Sequence, residues 1–209
     1  MRLQTKHIPN ILTISRLILV PIIITLILLP AQDIKFLVYW FPFNDVTYYI
    51  YLKYLIAGVL FVGACLTDTL DGYLARRNKW VSNFGKLWDP IADKILINSI
   101  LICFAFQETI PVWIPVVMIT RDVVVDALRV QAVVHKQEIS ANIFGKLKTI
   151  FQMLAIIIIL FFFNRPLHES SIFNYYFPQN IVMYLALLTS IISGAIYFVK
   201  YTNKSKVHK

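Results

Sequence analysis

The sequence predicts an all-α integral membrane protein with six transmembrane helices, and two observations lead to this prediction. Hydrophobic residues make up 58% of the 209 residues and charged residues 15%, whereas soluble domains contain roughly 45–50% and about 25% of these classes. The apolar residues are also concentrated in runs of the length that a helix needs to cross a hydrocarbon core of about 30 Å. We therefore expect a single integral membrane domain over residues 1–209.

Six apolar runs are long enough to form transmembrane helices. The first is interrupted only by Arg16 and Pro21, and the second continues as a more polar helix through Arg76. Prolines mark the connections on one side of the membrane, where helices are expected to stop and start. The predicted spans are residues 11–29, 49–65, 87–106, 110–134, 147–163 and 181–199.

The distribution of Lys and Arg predicts the orientation of these spans. Both termini and the connections on their side contain fifteen of the twenty Lys and Arg residues, whereas the opposite connections contain Lys35, Lys53 and Arg165. Because positively charged loops stay in the cytoplasm, we expect both termini there, with residues 200–209 as a basic tail near the headgroups. The net charge of +9 therefore indicates a membrane surface as partner rather than nucleic acid.

Four aspartates lie at the cytoplasmic ends of the second and third predicted spans. Asp68 and Asp71 are spaced i,i+3, and Asp89 and Asp93 are spaced i,i+4, so each pair shares one helix face. The connection between the two helices is short, which predicts antiparallel neighbours and four carboxylates around one cytoplasm-facing cavity. Such a cluster needs a counter-charge, and ligation by oxygen alone favours Mg²⁺, Mn²⁺ or Ca²⁺. Because Mg²⁺ commonly bridges carboxylates and substrate phosphates, a phosphorylated substrate is indicated.

The four aspartates belong to a longer pattern with eight fixed positions. The pattern reads Asp68-x2-Asp71-Gly72-x2-Ala75-Arg76-x8-Gly85-x3-Asp89-x3-Asp93. It resembles the signature of the CDP-alcohol phosphatidyltransferase family at all eight positions. The resemblance implies a six-helix membrane enzyme, commonly a homodimer, that uses a divalent metal to transfer a phosphatidyl group from a CDP-linked lipid to an alcohol and releases CMP.

The resemblance also implies a role for each signature residue. Asp68, Asp71 and Asp89 would bind the metal, Mg²⁺ or Mn²⁺, and Asp93 would both approach the metal and act as the general base. The residues implied for the nucleotide, with the first three lining the cytidine pocket and the last near the phosphates, are Gly72, Ala75, Gly85 and Arg76.

Segments outside the signature are similar to those of family members whose acceptor is glycerol 3-phosphate. The opening segment P-N-I-L-T-x-x-R makes Asn10, Thr13 and Arg16 candidate site residues. Arg16 lies within a predicted span, so it needs an acidic or phosphate partner inside the bundle. One departure from the resemblance is Asp122, at a position where we expect Glu. The implied donor is CDP-diacylglycerol, and the implied location is a bacterial cell membrane with the active site facing the cytoplasm.

Four cations in the second half of the chain are expected to bind the acceptor phosphate. Arg121 and Arg129 lie eight residues apart on the fourth helix, and Lys146 and Lys148 open the fifth. A guanidinium group can bind a phosphate with two hydrogen bonds, while an ammonium group acts as a point charge. The alternative is that these cations only enforce topology or contact lipid headgroups, and Arg129 and Lys146 are the stronger candidates for the pocket.

Other functions remain open from the sequence alone. Within the family, the acceptor could be inositol phosphate, serine, another phospholipid or a different polyol. A divalent-cation transporter would explain the four acids but not the ordered Gly and Ala positions. An inactive scaffold would be expected to have lost at least one acid, and all four are present.

Overall fold

The protein was analysed as a computed structural model, which describes residues 8–29, 37–43, 46–78, 83–135, 143–162 and 178–207. Some segments are described by their backbone alone, and these are residues 8–11, 37–50, 68–78, 83–87, 178–180 and 204–207. The helices are α1 (Ile8–Leu28), α2 (Leu52–Asn78), α3 (Asn83–Phe106), α4 (Trp113–Val134), α5 (Ile143–Phe161) and α6 (Pro178–Val207). The strands are β1 (Leu37–Phe43) and β2 (Val46–Tyr51).

The six helices confirm the helical part of the sequence prediction, since each predicted span overlaps one helix. The C-terminal segment that we expected as a tail continues α6 as far as Val207. The structure adds one element that the sequence analysis did not include, an antiparallel hairpin of β1 and β2 in which Trp40 pairs with Tyr49. Its strands are rich in aromatic and β-branched residues, which favour extended backbone.

The apolar helices give the chain its membrane character. Within the described residues, the segments Ile143–Phe161 and Ile181–Asn203 are long and apolar enough to cross a membrane, and Leu12–Leu28 and Leu52–Thr67 are shorter apolar helices. Large apolar side chains such as Ile18, Val59 and Leu188 are exposed on the helix surfaces. Such exposure suits contact with lipid rather than water. The number of spans and their orientation stay predictions.

The chain divides into two compact units, which are described separately. Helices α1, α2 and α3 belong to the first unit, α4 and α6 belong to the second, and α5 contributes to both. The first unit comprises Met1–Gln107 and Ile157–Arg165, and the second comprises Glu108–Ile156 and Pro166–Lys209.

In the first unit, α1 packs against both α2 and α3. Near the start of α1, Thr13 and Arg16 contact Asp89 and Asp93 in the same order along the chain, so α1 and α3 run parallel. The start of α2 lies at the end of α1, where Lys53 donates hydrogen bonds to backbone carbonyls, so α2 runs antiparallel to α1. The three helices therefore alternate in direction, as successive membrane spans must.

Close packing in the first unit depends on one glycine of α2. A Cβ atom added at Gly58 would lie 2.5 Å from the Phe161 ring, closer than a real Cβ contact allows. The phenyl ring of Phe161, from the end of α5, therefore packs directly on the α2 backbone. Close approach of this kind is typical of helix contacts in membranes, where small residues allow backbones to come near each other.

In the second unit, side-chain contacts join α4 to both α5 and α6. Asp122 bonds to Lys148, and Gln152 lies 3.3 Å from the sulfur of Met118 one turn earlier on α4, so α4 and α5 run antiparallel. Helix α6 runs parallel to α4. Arg121, in the middle of α4, bonds to residue 190, and Arg129, near the end of α4, bonds to residue 197 further along α6. This unit also alternates in direction from α4 to α5 to α6.

Candidate active site

Two of the four signature aspartates are held by side chains of α1. The Thr13 hydroxyl donates a hydrogen bond to Oδ1 of Asp89. The Arg16 guanidinium donates to Oδ1 of Asp93, with an Nη1–Oδ1 distance of 2.6 Å. Thr13 and Arg16 are one helical turn apart, as are Asp89 and Asp93, so the two contacts lie on adjacent turns. Both carboxylates therefore lie on the face of α3 that packs against α1, in agreement with their spacing.

Burial differs sharply across the Arg16–Asp93 ion pair. The Arg16 side chain is 1% exposed, while the Asp93 side chain is 33% exposed. A buried guanidinium is costly unless it is paired, and Asp93 supplies the acidic partner that the position of Arg16 required. Because a third of its surface is accessible, Asp93 combines a fixed orientation with access for a ligand or a proton.

The remaining signature positions are described by their backbone alone. They are helical, on the last three turns of α2 or the first turn of α3, and Asn10 lies on the first turn of α1. The convergence of four carboxylates on one cavity therefore stays a prediction. The positions whose side chains lie outside the described residues are Asp68, Asp71, Gly72, Ala75, Arg76, Gly85 and Asn10.

In the second unit, two of the four expected phosphate-binding cations share one buried carboxylate. Asp122 is 7% exposed and accepts hydrogen bonds from Arg121 Nη1 at 2.8 Å and from Lys148 Nζ at 2.6 Å. Arg121 Nε also donates to the backbone carbonyl of Ser190 on α6, at 3.0 Å. Charge-assisted bonds of this kind are strong where water is excluded. Arg121, Asp122 and Lys148 therefore form a buried ion cluster that connects α4 to α5 and α6.

The other two expected cations, Arg129 and Lys146, are exposed. Arg129 Nη2 donates a hydrogen bond to the Tyr197 hydroxyl oxygen at 2.9 Å, and its guanidinium carbon lies 5.0 Å from the centre of the Tyr197 ring. Tyr197 itself is 3% exposed. An exposed cation on α4 is thus held by a packed aromatic residue on α6.

Contacts with α6 bring the region of Lys146 close to that of Arg129. A Cβ atom added at Gly145, the residue before Lys146, would lie 3.3 Å from the Ser193 hydroxyl oxygen. Ser193 and Tyr197 are four residues apart on α6, so they occupy adjacent turns of one face, about 6 Å apart along the axis. Because Tyr197 contacts Arg129, the start of α5 and the Arg129 side chain contact neighbouring turns of α6.

The sequence analysis missed the partners of these cations. Asp122 was noted only as a departure from the resemblance, and its pairing with Lys148 connects positions 26 residues apart. Tyr197 lies in an apolar helix where an aromatic residue carries no functional signal.

Comparison with known proteins identifies the family of the chain. A family model described as CDP-alcohol phosphatidyltransferase matches residues 6–192. The chain belongs to this family. The resemblance drawn from the eight signature positions is thereby confirmed, and with it the assignment of the chain as a membrane-associated transferase. Residue 197 lies beyond the matched segment.

Several relatives are similar over most of their length. The chain is 41% identical over 199 residues to a Mycoplasma pneumoniae protein named CDP-diacylglycerol–glycerol-3-phosphate 3-phosphatidyltransferase, with coverage of 92% of this chain and 86% of the relative. A Bacillus subtilis protein of the same name is 32% identical over 195 residues, with coverage of 93% and 94%. A probable phosphatidylglycerophosphate synthase from Mycobacterium tuberculosis is 32% identical over 199 residues, with coverage of 95% and 83%.

Enzymes of this family use a divalent metal, and the described carboxylates fit one. Asp89 and Asp93 offer oxygen ligands, which hard divalent cations prefer. Each carboxylate also accepts a hydrogen bond from α1, and such outer hydrogen bonds commonly orient metal ligands in proteins. The donor chemistry and the fixed orientation of these two residues are therefore suited to a metal centre.

Proposed function

We propose that this enzyme transfers the phosphatidyl group of CDP-diacylglycerol to glycerol 3-phosphate and releases CMP. The observation that carries the proposal is the identity of 41% over 92% of the chain to a relative with this activity in its name. The complete eight-position signature supports the same reaction, because the residues that the resemblance assigns to metal and nucleotide are all present. The exposed cations of the second unit suit an acceptor that carries a phosphate.

Asp68, Asp71, Asp89 and Asp93 are the residues that would hold the metal, Mg²⁺ or Mn²⁺. When bound, such an ion would offset the negative charge of the donor pyrophosphate and of the departing CMP. Thr13 and Arg16 act on two of these ligands from α1, since they fix the orientation of Asp89 and Asp93 before any ligand arrives.

Asp93 is the proposed general base. The sn-1 hydroxyl oxygen of glycerol 3-phosphate forms a bond to the phosphorus of the phosphatidyl group, and the bond from that phosphorus to the CMP oxygen breaks. The hydroxyl proton passes to the Asp93 carboxylate, and CMP leaves with the electron pair of the broken bond. A base held within reach of a reacting hydroxyl contributes typically about 10²- to 10⁴-fold to a rate. The 33% exposure of Asp93 supports its access to the acceptor.

Arg129 and Lys146 are the proposed primary contacts of the acceptor phosphate. Both are exposed, and their surroundings meet neighbouring turns of α6. The guanidinium fork can donate two parallel hydrogen bonds to a phosphate, and the ammonium group adds a second positive charge. Arg121 and Lys148 contribute less directly, because their charges are already directed to Asp122.

The remaining assignments follow the family resemblance. Gly72, Ala75 and Gly85 leave room for the cytidine, and Arg76 contacts the nucleotide phosphates. We further propose a homodimer in a bacterial cell membrane, with six spans, both termini in the cytoplasm and the active site on that side. Labelling of cysteines introduced at the termini, from each side of sealed membrane vesicles, would test the orientation. Labelling of both termini from the side that faces the cell exterior would contradict it.

An acceptor panel tests the proposed reaction. Purified protein in lipid nanodiscs receives CDP-diacylglycerol and Mg²⁺ with glycerol 3-phosphate, inositol phosphate, serine or phosphatidylglycerol, and CMP release is measured together with the mass of the lipid product. We expect CMP release and phosphatidylglycerophosphate with glycerol 3-phosphate at a rate at least about 100-fold above that with serine, since a site built around a phosphate rejects an analogue that lacks it. Inositol phosphate and phosphatidylglycerol carry a phosphate on a larger group, and we expect slower CMP release with both.

The same assay tests the need for metal. We expect excess EDTA to stop CMP release and added Mg²⁺ or Mn²⁺ to restore it. Faster turnover with a different acceptor would replace glycerol 3-phosphate in the proposal while leaving the reaction class intact. Full turnover in EDTA would reject the metal site itself.

A further inference from the structure

The orientation of the Arg129 side chain matters for binding an acceptor phosphate. It is exposed and has several rotatable bonds, so an unsupported guanidinium would sample many orientations. Binding a phosphate through two parallel hydrogen bonds requires one of these orientations. Affinity for an acceptor therefore depends on whether some fixed group selects the productive orientation before binding.

Tyr197 supplies such a group. Its hydroxyl oxygen accepts a hydrogen bond from Arg129 Nη2 at 2.9 Å, and its ring lies 5.0 Å from the guanidinium carbon, within the range of a cation–π contact. Because Tyr197 is 3% exposed, its own side chain is fixed by packing. Two contacts from one rigid residue restrain both the position and the plane of the guanidinium.

The contact leaves Arg129 able to bind an anion. The guanidinium carries five N–H donors, and the Tyr197 oxygen receives a hydrogen bond from only one of its nitrogens. Since tyrosine is neutral, this contact does not cancel the positive charge of Arg129. Arg121 on the same helix has a different environment, because its guanidinium bonds directly to the Asp122 carboxylate.

We propose that Tyr197 is a positioning residue for the acceptor, which orients the Arg129 guanidinium toward the acceptor phosphate. The inference rests on the proposed role of Arg129 and adds a residue of α6 that lies beyond the segment matched by the family model. Tyr197 does not touch the substrate in this account. It acts through Arg129, so its removal weakens acceptor binding and leaves the chemical step and the donor site unaltered.

The test compares Tyr197→Phe, which keeps the ring and removes the hydroxyl, with Tyr184→Phe as the matched control. Tyr184 is on the same helix, but its ring stacks on Trp113 at a centroid distance of 6.1 Å. For Tyr197→Phe we expect the KM for glycerol 3-phosphate to rise about 5- to 10-fold, the change that corresponds to the net loss of one typical hydrogen bond. The kcat and the KM for CDP-diacylglycerol should change by less than about twofold, and the control should match wild type.

A double-mutant cycle with Arg129→Gln separates positioning from a merely structural role. We expect Arg129→Gln to raise the acceptor KM more than Tyr197→Phe does, and Tyr197→Phe to add less than about twofold in the Arg129→Gln background. Calorimetric titration of glycerol 3-phosphate into each variant without donor should reproduce the order of the KM values. Tyr197→His keeps a ring and a hydrogen-bonding nitrogen, so it should raise the acceptor KM less than Tyr197→Phe does. It replaces Tyr197→Phe in the test if that variant does not fold.

The outcomes distinguish the inference from the function on which it rests. If Arg129→Gln raises the acceptor KM but neither Tyr197 variant does, the positioning role is wrong and the acceptor site stands. If the effects of the two substitutions simply multiply, Tyr197 acts independently of Arg129 and the inference is also overturned. If Arg129→Gln leaves acceptor binding unchanged, the proposed acceptor site is wrong, and the inference about Tyr197 is rejected with it.

Discussion

Each unit of the protein contains an aspartate bonded to a cation, and the two aspartates differ in what surrounds them. Asp93 in the first unit pairs with Arg16 and keeps 33% of its side chain exposed. Asp122 in the second unit bonds to both Arg121 and Lys148, and its side chain is 9% exposed. The first carboxylate is oriented but accessible, whereas the second is enclosed by two cations.

The difference indicates which carboxylate is available for chemistry. A buried acid with two bonded cations has its charge compensated and its surface covered, so its main effect is to join helices. An acid that is oriented by a cation and keeps accessible surface can still accept a proton or contribute to a metal site. Loss of Asp93 should therefore reduce activity more than stability, and loss of Asp122 should do the reverse.

The largest effect is expected for Asp93→Asn. The amide is nearly the same size but cannot accept the hydroxyl proton, so we expect the rate of CMP release to fall by about 10³-fold or more. Folding should remain, because the amide oxygen can still accept the hydrogen bond from Arg16. Part of the CMP affinity should remain, because the rest of the nucleotide site is unchanged. The rate is measured with CDP-diacylglycerol in nanodiscs, and CMP binding by calorimetry.

Asp33→Asn, in the connection between α1 and β1, is the matched control for this substitution and should have wild-type activity. A turnover of Asp93→Asn close to that of wild type would remove the general-base role. Loss of activity together with loss of folded protein would mean that Asp93 serves mainly to neutralise Arg16, and the contrast with Asp122 would disappear.

The second effect concerns stability. Asp122→Asn removes the carboxylate that the buried Lys148 and the partly buried Arg121 both bond to, and removal of one partner from a buried ion pair typically costs about 3–5 kcal/mol. We expect a clear fall in the thermal unfolding temperature in detergent, with the activity per folded molecule kept within a few-fold. Asp122→Glu retains the charge and is the residue that the family resemblance led us to expect, so it should fold normally.

A rescue experiment sharpens this second prediction. The double substitution Asp122→Leu with Lys148→Met removes both the acid and one cation, so it should recover part of the stability that Asp122→Asn loses. If Asp122→Asn were as stable as wild type but inactive, the buried ion cluster would belong to the reaction and not to the helix packing.

The sequence predicted the parts of this contrast that are local to one helix. Apolar runs of membrane-spanning length located the six helices, and the i,i+4 spacing placed Asp89 and Asp93 on one face of α3. It also indicated that Arg16 needs a partner, because a charge within an apolar span is costly without one. These features follow from helix periodicity and from the energy of burying charge. Both can be read from residues that are close together in the sequence.

The partners across helices could not be predicted in the same way. Lys148 follows Asp122 by 26 residues and Tyr197 follows Arg129 by 68, so their contacts depend on how α4, α5 and α6 pack. Side-chain packing selects one helix arrangement among several with the same spans, and a single sequence does not reveal that choice. The β1–β2 hairpin was missed because most of it lies in the connection between the first two predicted spans, and its last residues were assigned to the second span.

The smallest effect is expected at Thr13, and it tests whether the α1 contacts tune the metal site or only support the fold. Thr13→Val keeps the shape of the side chain but removes the hydroxyl that donates to Asp89, whereas Thr13→Ser keeps the hydroxyl. Loss of an outer hydrogen bond to a metal ligand commonly costs about 10-fold or more in metal affinity, so Thr13→Val should raise the half-saturating Mg²⁺ concentration by about 10-fold. Activity at saturating Mg²⁺ should return to within about twofold of wild type, and Mn²⁺ titration followed by electron paramagnetic resonance should show the same weakening without turnover. Equal Mn²⁺ affinity in the Val and Ser variants would restrict Thr13 to packing, and of the two described α1 contacts only that of Arg16 would then act on the reaction.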